Sequence, residues 1–128
     1  MDMPDNVKYL KSHEWVREDG DGYVVGITDF AQDQLGDVVF VELPSVGSTV
    51  TEGEGVAVVE SVKTASDIYA PFDGEITEVN GELENAPDLL NSDPFGEGWM
   101  FRIRPSSAVD QSRLLDAAGY QKAIEEED

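Results

Sequence analysis

The chain has 128 residues, 40% of them hydrophobic, and no cysteine. That fits one globular domain and excludes disulfides, thiol nucleophiles and cysteine-ligated metals. Its 28 acidic and 8 basic residues leave a formal charge of −20, which makes nucleic acid and anionic membrane surfaces poor partners, since both are held through Lys and Arg. Salt relieves self-repulsion on this scale by shortening the Debye length, so a halophilic source is expected. The first residues, Met1-Asp2-Met3-Pro4-Asp5-Asn6, lack the basic and apolar regions of a secretory signal and are too acidic for a transit peptide. No apolar run nears the roughly 18 residues of a membrane helix. A cytoplasmic location is expected.

Order is expected to begin at Lys8. His13 to Arg17 reads as a first strand, Glu18-Asp19-Gly20-Asp21-Gly22 as a turn, and Tyr23 to Thr28 as a second strand completing a hairpin. Thr28 or Asp29 can cap a short helix over Asp29–Leu35, in which Phe30, Ala31 and Leu35 fall at helical spacing and Gly36 takes the C-terminal position. Asp37 to Pro44 is the strongest strand signal, stopped by Pro44. Turns follow at Gly47–Val50 and Glu52–Gly55. Val56–Val59 and Ile68–Pro71 read as two strands, with Glu60 to Asp67 as the turn between them and Lys63 at its tip, pointing into solvent. Gly74 to Gly81 alternates with period two, as a half-buried strand does. Glu82 to Asn91 reads as short helical turns, because Pro87 interrupts it. Ser92 to Gly98 is a loop and Trp99 to Pro105 the last strand. A terminal helical region is expected from about 107 to 126, interrupted near Gly119. Many short strands with regular turn signals predict a small β-sandwich or barrel. A short repeat, apolar-x-apolar-Pro-x-x-Gly, occurs at Val41–Gly47 and again at Ile68–Gly74, and suggests two similar halves.

Most catalytic chemistry lacks its residues. His13 is the only histidine, so zinc and iron sites have no ligand set. The carboxylates lack the spaced aspartates and glycine of a calcium loop. The serines have no second histidine or nucleophile elbow beside them, and Gly53-x-Gly55 and Gly96-x-Gly98 read as turns rather than phosphate loops. What stands out is Lys63: from Glu18 to Phe101 there are nineteen acidic side chains and this one basic one. A solvated surface lysine is the ordinary reading. A catalytic amine is disfavoured, since acidic surroundings keep it protonated. An attachment point is favoured, since acylation removes the charge and adds a long arm at an accessible tip.

Glu60-Ser61-Val62-Lys63-Thr64-Ala65-Ser66-Asp67-Ile68-Tyr69-Ala70-Pro71 resembles the lipoylation segment of the glycine cleavage system H protein family. Ser12-His13-Glu14-Trp15-Val16, Val25 to Gln32, Leu35 to Pro44 and Asn91 to Trp99 resemble the family as well, in order and over about residues 7–125. The resemblance implies a lipoyl-domain-like barrel-sandwich hybrid of two small antiparallel sheets with short peripheral helices. It implies a single carrier domain over 1–128, with a core at about 7–105. Biotinyl domains share the architecture but usually flank their lysine with methionines, and Val62 and Thr64 are not methionine. Lipoyl domains of 2-oxoacid dehydrogenases are shorter and lack the Ser12–Trp15 and Asn91–Trp99 segments.

The resemblance further implies lipoate joined to Lys63 through an amide by a lipoate ligase or lipoyltransferase. The expected role is that of a non-catalytic swinging-arm carrier. It takes the aminomethyl group from glycine decarboxylase to aminomethyltransferase and presents the dithiol to dihydrolipoamide dehydrogenase. By the same resemblance Ser12, Glu14 and Asp67 are expected to meet the protonated amine of the cargo in a pocket. Gln34 departs from the histidine common there and cannot titrate near pH 7. A carrier for lipoate relay or sulfur oxidation, and an enzyme using Lys63 as an amine nucleophile, stay open at this level.

Overall fold

The computed structural model describes residues 1–127. Strands β1 (Lys8–Tyr9), β2 (Glu14–Asp19) and β3 (Gly22–Ile27) lead into helix α1 (Asp29–Leu35). Strands β4 (Val38–Glu42), β5 (Thr49–Val50), β6 (Gly55–Ser61), β7 (Ala65–Tyr69) and β8 (Gly74–Val79) follow. Short helices α2 (Glu82–Asn85) and α3 (Leu89–Ser92), strand β9 (Phe101–Pro105), a 3-10 turn (Gln111–Arg113) and helix α4 (Ala117–Glu127) complete the chain. The strands form a six-stranded sheet in the order β1-β2-β3-β9-β8-β5 and a three-stranded sheet in the order β4-β6-β7. Every pairing is antiparallel. This is the barrel-sandwich hybrid expected, with one sheet twice the width of the other.

The main core lies between the sheets and includes Val16, Val25, Ile27, Val41, Val59, Ile68, Ile76 and Ile103. Alternation sends Val25 and Ile27 of β3 into it, yet all six residues of β3 are buried. The reason is a second cluster on the outer face, where Val7, Tyr9, Trp15 and Val24 meet Tyr120 and Ile124 of α4. Trp15 pairs with Gly26 across β2 and β3, and a Cβ at Gly26 would stand 2.7 Å from the indole. Glycine is what lets the ring lie flat on that strand. The indole Nε1 donates to the carbonyl of Pro94 at 3.0 Å and so anchors the 92–98 loop.

Three expectations need correction. Strands β1 and β5 have two residues each, too few for a sequence pattern; they exist because β2 and β8 supply partners. In the Lys63 hairpin the strands run further than their apolar residues. Glu60 pairs with Ala65 and Val58 with Asp67, because backbone pairing continues where side chains face water. The turn shrinks to Val62-Lys63-Thr64. The C-terminal helix begins at Ala117, not near 107, and runs unbroken through Gly119. Residues 106–116 cross the sheet instead, and Leu115 exchanges two backbone hydrogen bonds of 2.8 Å with Tyr9. The Gly119 N–H sits in the first helical turn and donates to Asp116 Oδ1 at 2.8 Å, so the glycine falls at a capped end where it costs little.

The repeated segments Val41–Gly47 and Ile68–Gly74 play matching parts. Each leaves an outer strand of the small sheet and crosses to the large one, where β5 and β8 then pair antiparallel, Thr49 with Glu75.

Candidate functional site

A cleft of about 680 Å³ opens beside the Lys63 hairpin. Three walls form it: Ser12, His13 and Glu14 leading into β2; Phe30, Ala31, Gln34 and Leu35 of α1; and Thr64 to Ile68 entering and forming β7. Each wall has a local reason to stand where it does. Helix α1 starts at Thr28, whose side chain accepts from the Ala31 N–H at 3.1 Å. It ends at Gly36, whose φ of 79° and ψ of −157° suit glycine almost alone. Asn91, from α3, then fastens that end. Its Nδ2 donates to Gln32 Oε1 and to the Gly36 carbonyl, and its Oδ1 accepts from the Val38 N–H, all at 2.9 Å.

The hairpin tip is tied rather than free-standing. Ser61 N–H donates to the Thr64 carbonyl at 2.8 Å. Ser61 Oγ accepts from the Lys63 and Thr64 N–H groups at 3.2 and 3.1 Å, a local side-chain brace on a tight turn. The Val62 N–H donates to the Asp37 carbonyl at 3.0 Å. The stem of Lys63 lies over Gly36, where a Cβ would come within 3.0 Å of its Cε. Lys63 is exposed, and no ion pair holds it among the described residues. Its neighbours Thr64 and Gly36 adjoin the cleft lining in sequence, so an arm built on Nζ starts at the cleft's rim.

Glu14 is the opposite case. It is only 2% exposed, and burial pushes its carboxyl from 4.5 up to about 7, against hydrogen bonds from Ser12 and from the Tyr69 and Glu14 backbone N–H groups. Ser12 Oγ donates to Glu14 Oε1 in a short contact. The Tyr69 N–H is available because β7 is an edge strand. With Ser61 and Thr64 as a hydrogen-bonded pair, alternation turns the N–H groups of Ala65, Asp67 and Tyr69 away from β6. Glu14 therefore caps one end of a free strand edge, and the rest of that edge lines the cleft.

Of the residues expected to meet cargo, Ser12, Glu14 and Asp67 all line this cleft, and Gln34 lines it too. Ser12 and Glu14 form one bonded unit. Asp67 stands apart: it is exposed and its side chain leaves β7 on the face opposite Ser66 and Ile68, so at the cleft it offers its backbone edge and a rim carboxylate. Sequence reasoning did not single out Gly36, Ser61 or Asn91. Gly36 was visible as a helix end; the other two act through contacts that no local pattern encodes.

An accessible lysine on a braced turn, beside a part-apolar cleft holding a buried carboxylate, is an arrangement that suits a carrier domain with a prosthetic arm. Comparison with known proteins agrees and goes further. The family described as glycine cleavage H-protein matches residues 7–127. A glycine cleavage system H protein from Thermus thermophilus is 61% identical over 127 residues, 99% of each chain. One from Shewanella frigidimarina is 60% identical over 126 residues, 98% of each. The crystal structure of a glycine cleavage system H protein from Mycobacterium marinum superposes with a TM-score of 0.87 at 40% identity, covering 96% of this chain and 99% of that one. The chain belongs to the glycine cleavage H-protein family. Members of that family carry lipoate covalently on a lysine. They serve glycine decarboxylase, aminomethyltransferase and dihydrolipoamide dehydrogenase, and are carriers rather than catalysts. Among the described residues no helix is long and apolar enough to cross a membrane.

Proposed function

We propose that Lys63 is the lysine that bears lipoate, and that Ser12, Glu14 and Asp67 receive the protonated amine of the cargo in the adjoining cleft. The observation that carries this reading is the pairing of an exposed Lys63 on a braced turn with a cleft next to it. The lining fits the group. Ile27, Phe30, Ala31, Leu35 and Ile68 suit an alkyl arm, and Ser12 with Glu14 suits an ammonium through charge-assisted hydrogen bonds. Lipoate held at Lys63 would supply a disulfide, one sulfur of which could take the aminomethyl group while the other became a free thiol. The chain's own part is to hold and shelter. Burial favours the neutral form of Glu14, whereas an ammonium beside it favours the charged form. Cargo therefore draws a proton off Glu14 and is held better above pH 7 than below it. Tethering at Lys63 raises the arm's effective concentration at each docked enzyme.

The test is intact mass. Protein from cells that make lipoate should be heavier by one lipoyl group, and Lys63→Arg should not be. A Lys63→Arg chain that still gains the group would place the attachment elsewhere.

The whole chain, 1–128, acts as one carrier domain in the cytoplasm of a salt-adapted cell. The formal charge of −20 supports the salt adaptation. Unfolding midpoints should rise from dilute buffer to molar KCl, and equal midpoints would remove that part of the reading.

A further inference from the structure

None of the described side chains of helix α4 lines the cleft, yet one of them reaches two of the cleft's walls. Tyr120 is fully buried and stacks on Tyr9, with ring centroids 4.7 Å apart and planes within 5°. Its hydroxyl lies 2.8 Å from His13 Nδ1 and 2.6 Å from Thr28 Oγ1. His13 sits between Ser12 and Glu14 and is the one non-glycine residue with positive φ, 75°, among those described. A residue held in that region needs its surroundings to keep it there. Its backbone is held by the Leu10 carbonyl, 3.0 Å from its N–H, and by the Thr28 N–H, 3.1 Å from its carbonyl. Its ring packs on Phe30, centroids 4.9 Å apart. Thr28 is the cap of α1, the second wall.

We propose that Tyr120 is a positioning residue for the cargo cleft. Its hydroxyl pins the Ser12–Glu14 segment through His13 and the start of α1 through Thr28, so a residue of the C-terminal helix sets the spacing of two walls. This rests on the reading of the cleft as the cargo's shelter.

Tyr120→Phe deletes the hydroxyl and keeps the ring stack. Tyr9→Phe is the control: it deletes a hydroxyl from the same aromatic cluster, one bonded to the Pro4 carbonyl and not to a cleft wall. Two readouts are needed, on the full chain. The first is the Glu14 carboxyl titration followed by carbon NMR without cargo. In Tyr120→Phe the loosened segment admits water and the midpoint falls from about 7 toward the ordinary carboxylate range. In Tyr9→Phe it stays. The second is the rate at which the loaded carrier loses its amine in the absence of the enzymes. That rate should rise roughly 2- to 10-fold in Tyr120→Phe alone, the worth of one hydrogen bond. His13→Gly keeps the backbone conformation accessible and removes the link, so it should reproduce the titration change. A Glu14 midpoint that moves no further in Tyr120→Phe than in Tyr9→Phe overturns the proposal. If the titration moves while amine loss does not, positioning stands and the cleft is not the shelter.

Discussion

Lys63 and Glu14 stand beside one cleft and are built to opposite rules. The Lys63 tip is exposed, three residues wide and braced by Ser61 within its own hairpin. Glu14 is buried, bonded to Ser12 and to the edge of β7, and flanked by a backbone in the left-handed region. A point of attachment has to be reached by other proteins, so its precision is local and its contribution to stability small. A shelter has to exclude water, so its precision comes from distant elements and folding bears its cost. The difference should be measurable as a division of labour: changes at the tip abolish loading and spare stability, whereas changes around Glu14 alter stability and its pH dependence.

The largest effect on that contrast should come from Glu14→Gln. Burial raises the Glu14 carboxyl from 4.5 to about 7 in the folded chain. Its stabilising contribution is complete below the unfolded value and lost as pH rises through the folded one. Gln stays neutral throughout. The variant should match the parent near pH 4 and exceed it by up to about 3 kcal/mol above pH 8. Denaturant midpoints of both chains from pH 4 to 9 give the difference directly, and the other carboxylates cancel between them. A difference that does not change with pH would mean that Glu14 is not desolvated in the folded chain. The same variant should shelter an amine poorly, so stability and function move in opposite directions at one residue.

How much of this was legible in the sequence follows the same division. Local features were readable. Thr28 and Gly36 announce α1, the β-branched runs announce the hairpin, and the one cation in an acidic stretch marks Lys63. The seat of Glu14 was readable only through the resemblance. By its own pattern Glu14 is one of 28 acids, and the Tyr69 backbone N–H that meets its carboxyl lies on β7, more than fifty residues away. Tyr120 reaches His13 across 107 residues, a separation at which periodicity and capping rules carry no information. The hairpin strands are longer than the sequence predicts because polar residues on the water-facing side of a sheet read as turn. The C-terminal helix is shorter than the sequence predicts because Asp110 and Ser112, inside the expected helical region, close a local turn, with Asp110 Oδ1 accepting from the Ser112 N–H at 3.1 Å.

Asn91 lies between the two regimes, since it braces the lysine side of the cleft from a distance. Its side chain supplies two donors and one acceptor to α1 and β4. Asn91→Ala leaves the Gly36 carbonyl and the Val38 N–H without those partners. The expected cost is about 2 kcal/mol, because the site is half-buried and water replaces only part of the network. Thermal unfolding checks the cost. Lipoylation of Lys63 in the variant checks whether the brace matters to the tip: the rate should fall with the order of the Gly36–Asp37 segment, and a full rate would confine Asn91 to folding.

Gly36→Ala asks whether the lysine tip is as independent of the fold as its exposure suggests. The φ of 79° and ψ of −157° place the residue where a side chain is strained, which costs about 1–2 kcal/mol. The new Cβ would also stand 3.0 Å from Lys63 Cε. That contact is with the flexible stem of a lysine, which can swing aside, so it adds little to the cost in stability. What it changes is direction: the stem can no longer rest on the helix end, and Nζ leaves the rim of the cleft. The variant should still be lipoylated, because the turn and its Ser61 brace are intact, but the arm should enter the cleft less often and lose its amine faster. Equal amine loss in Gly36→Ala and parent chains, with the strain visible in the unfolding midpoint, would show that the arm finds the cleft without guidance from its stem.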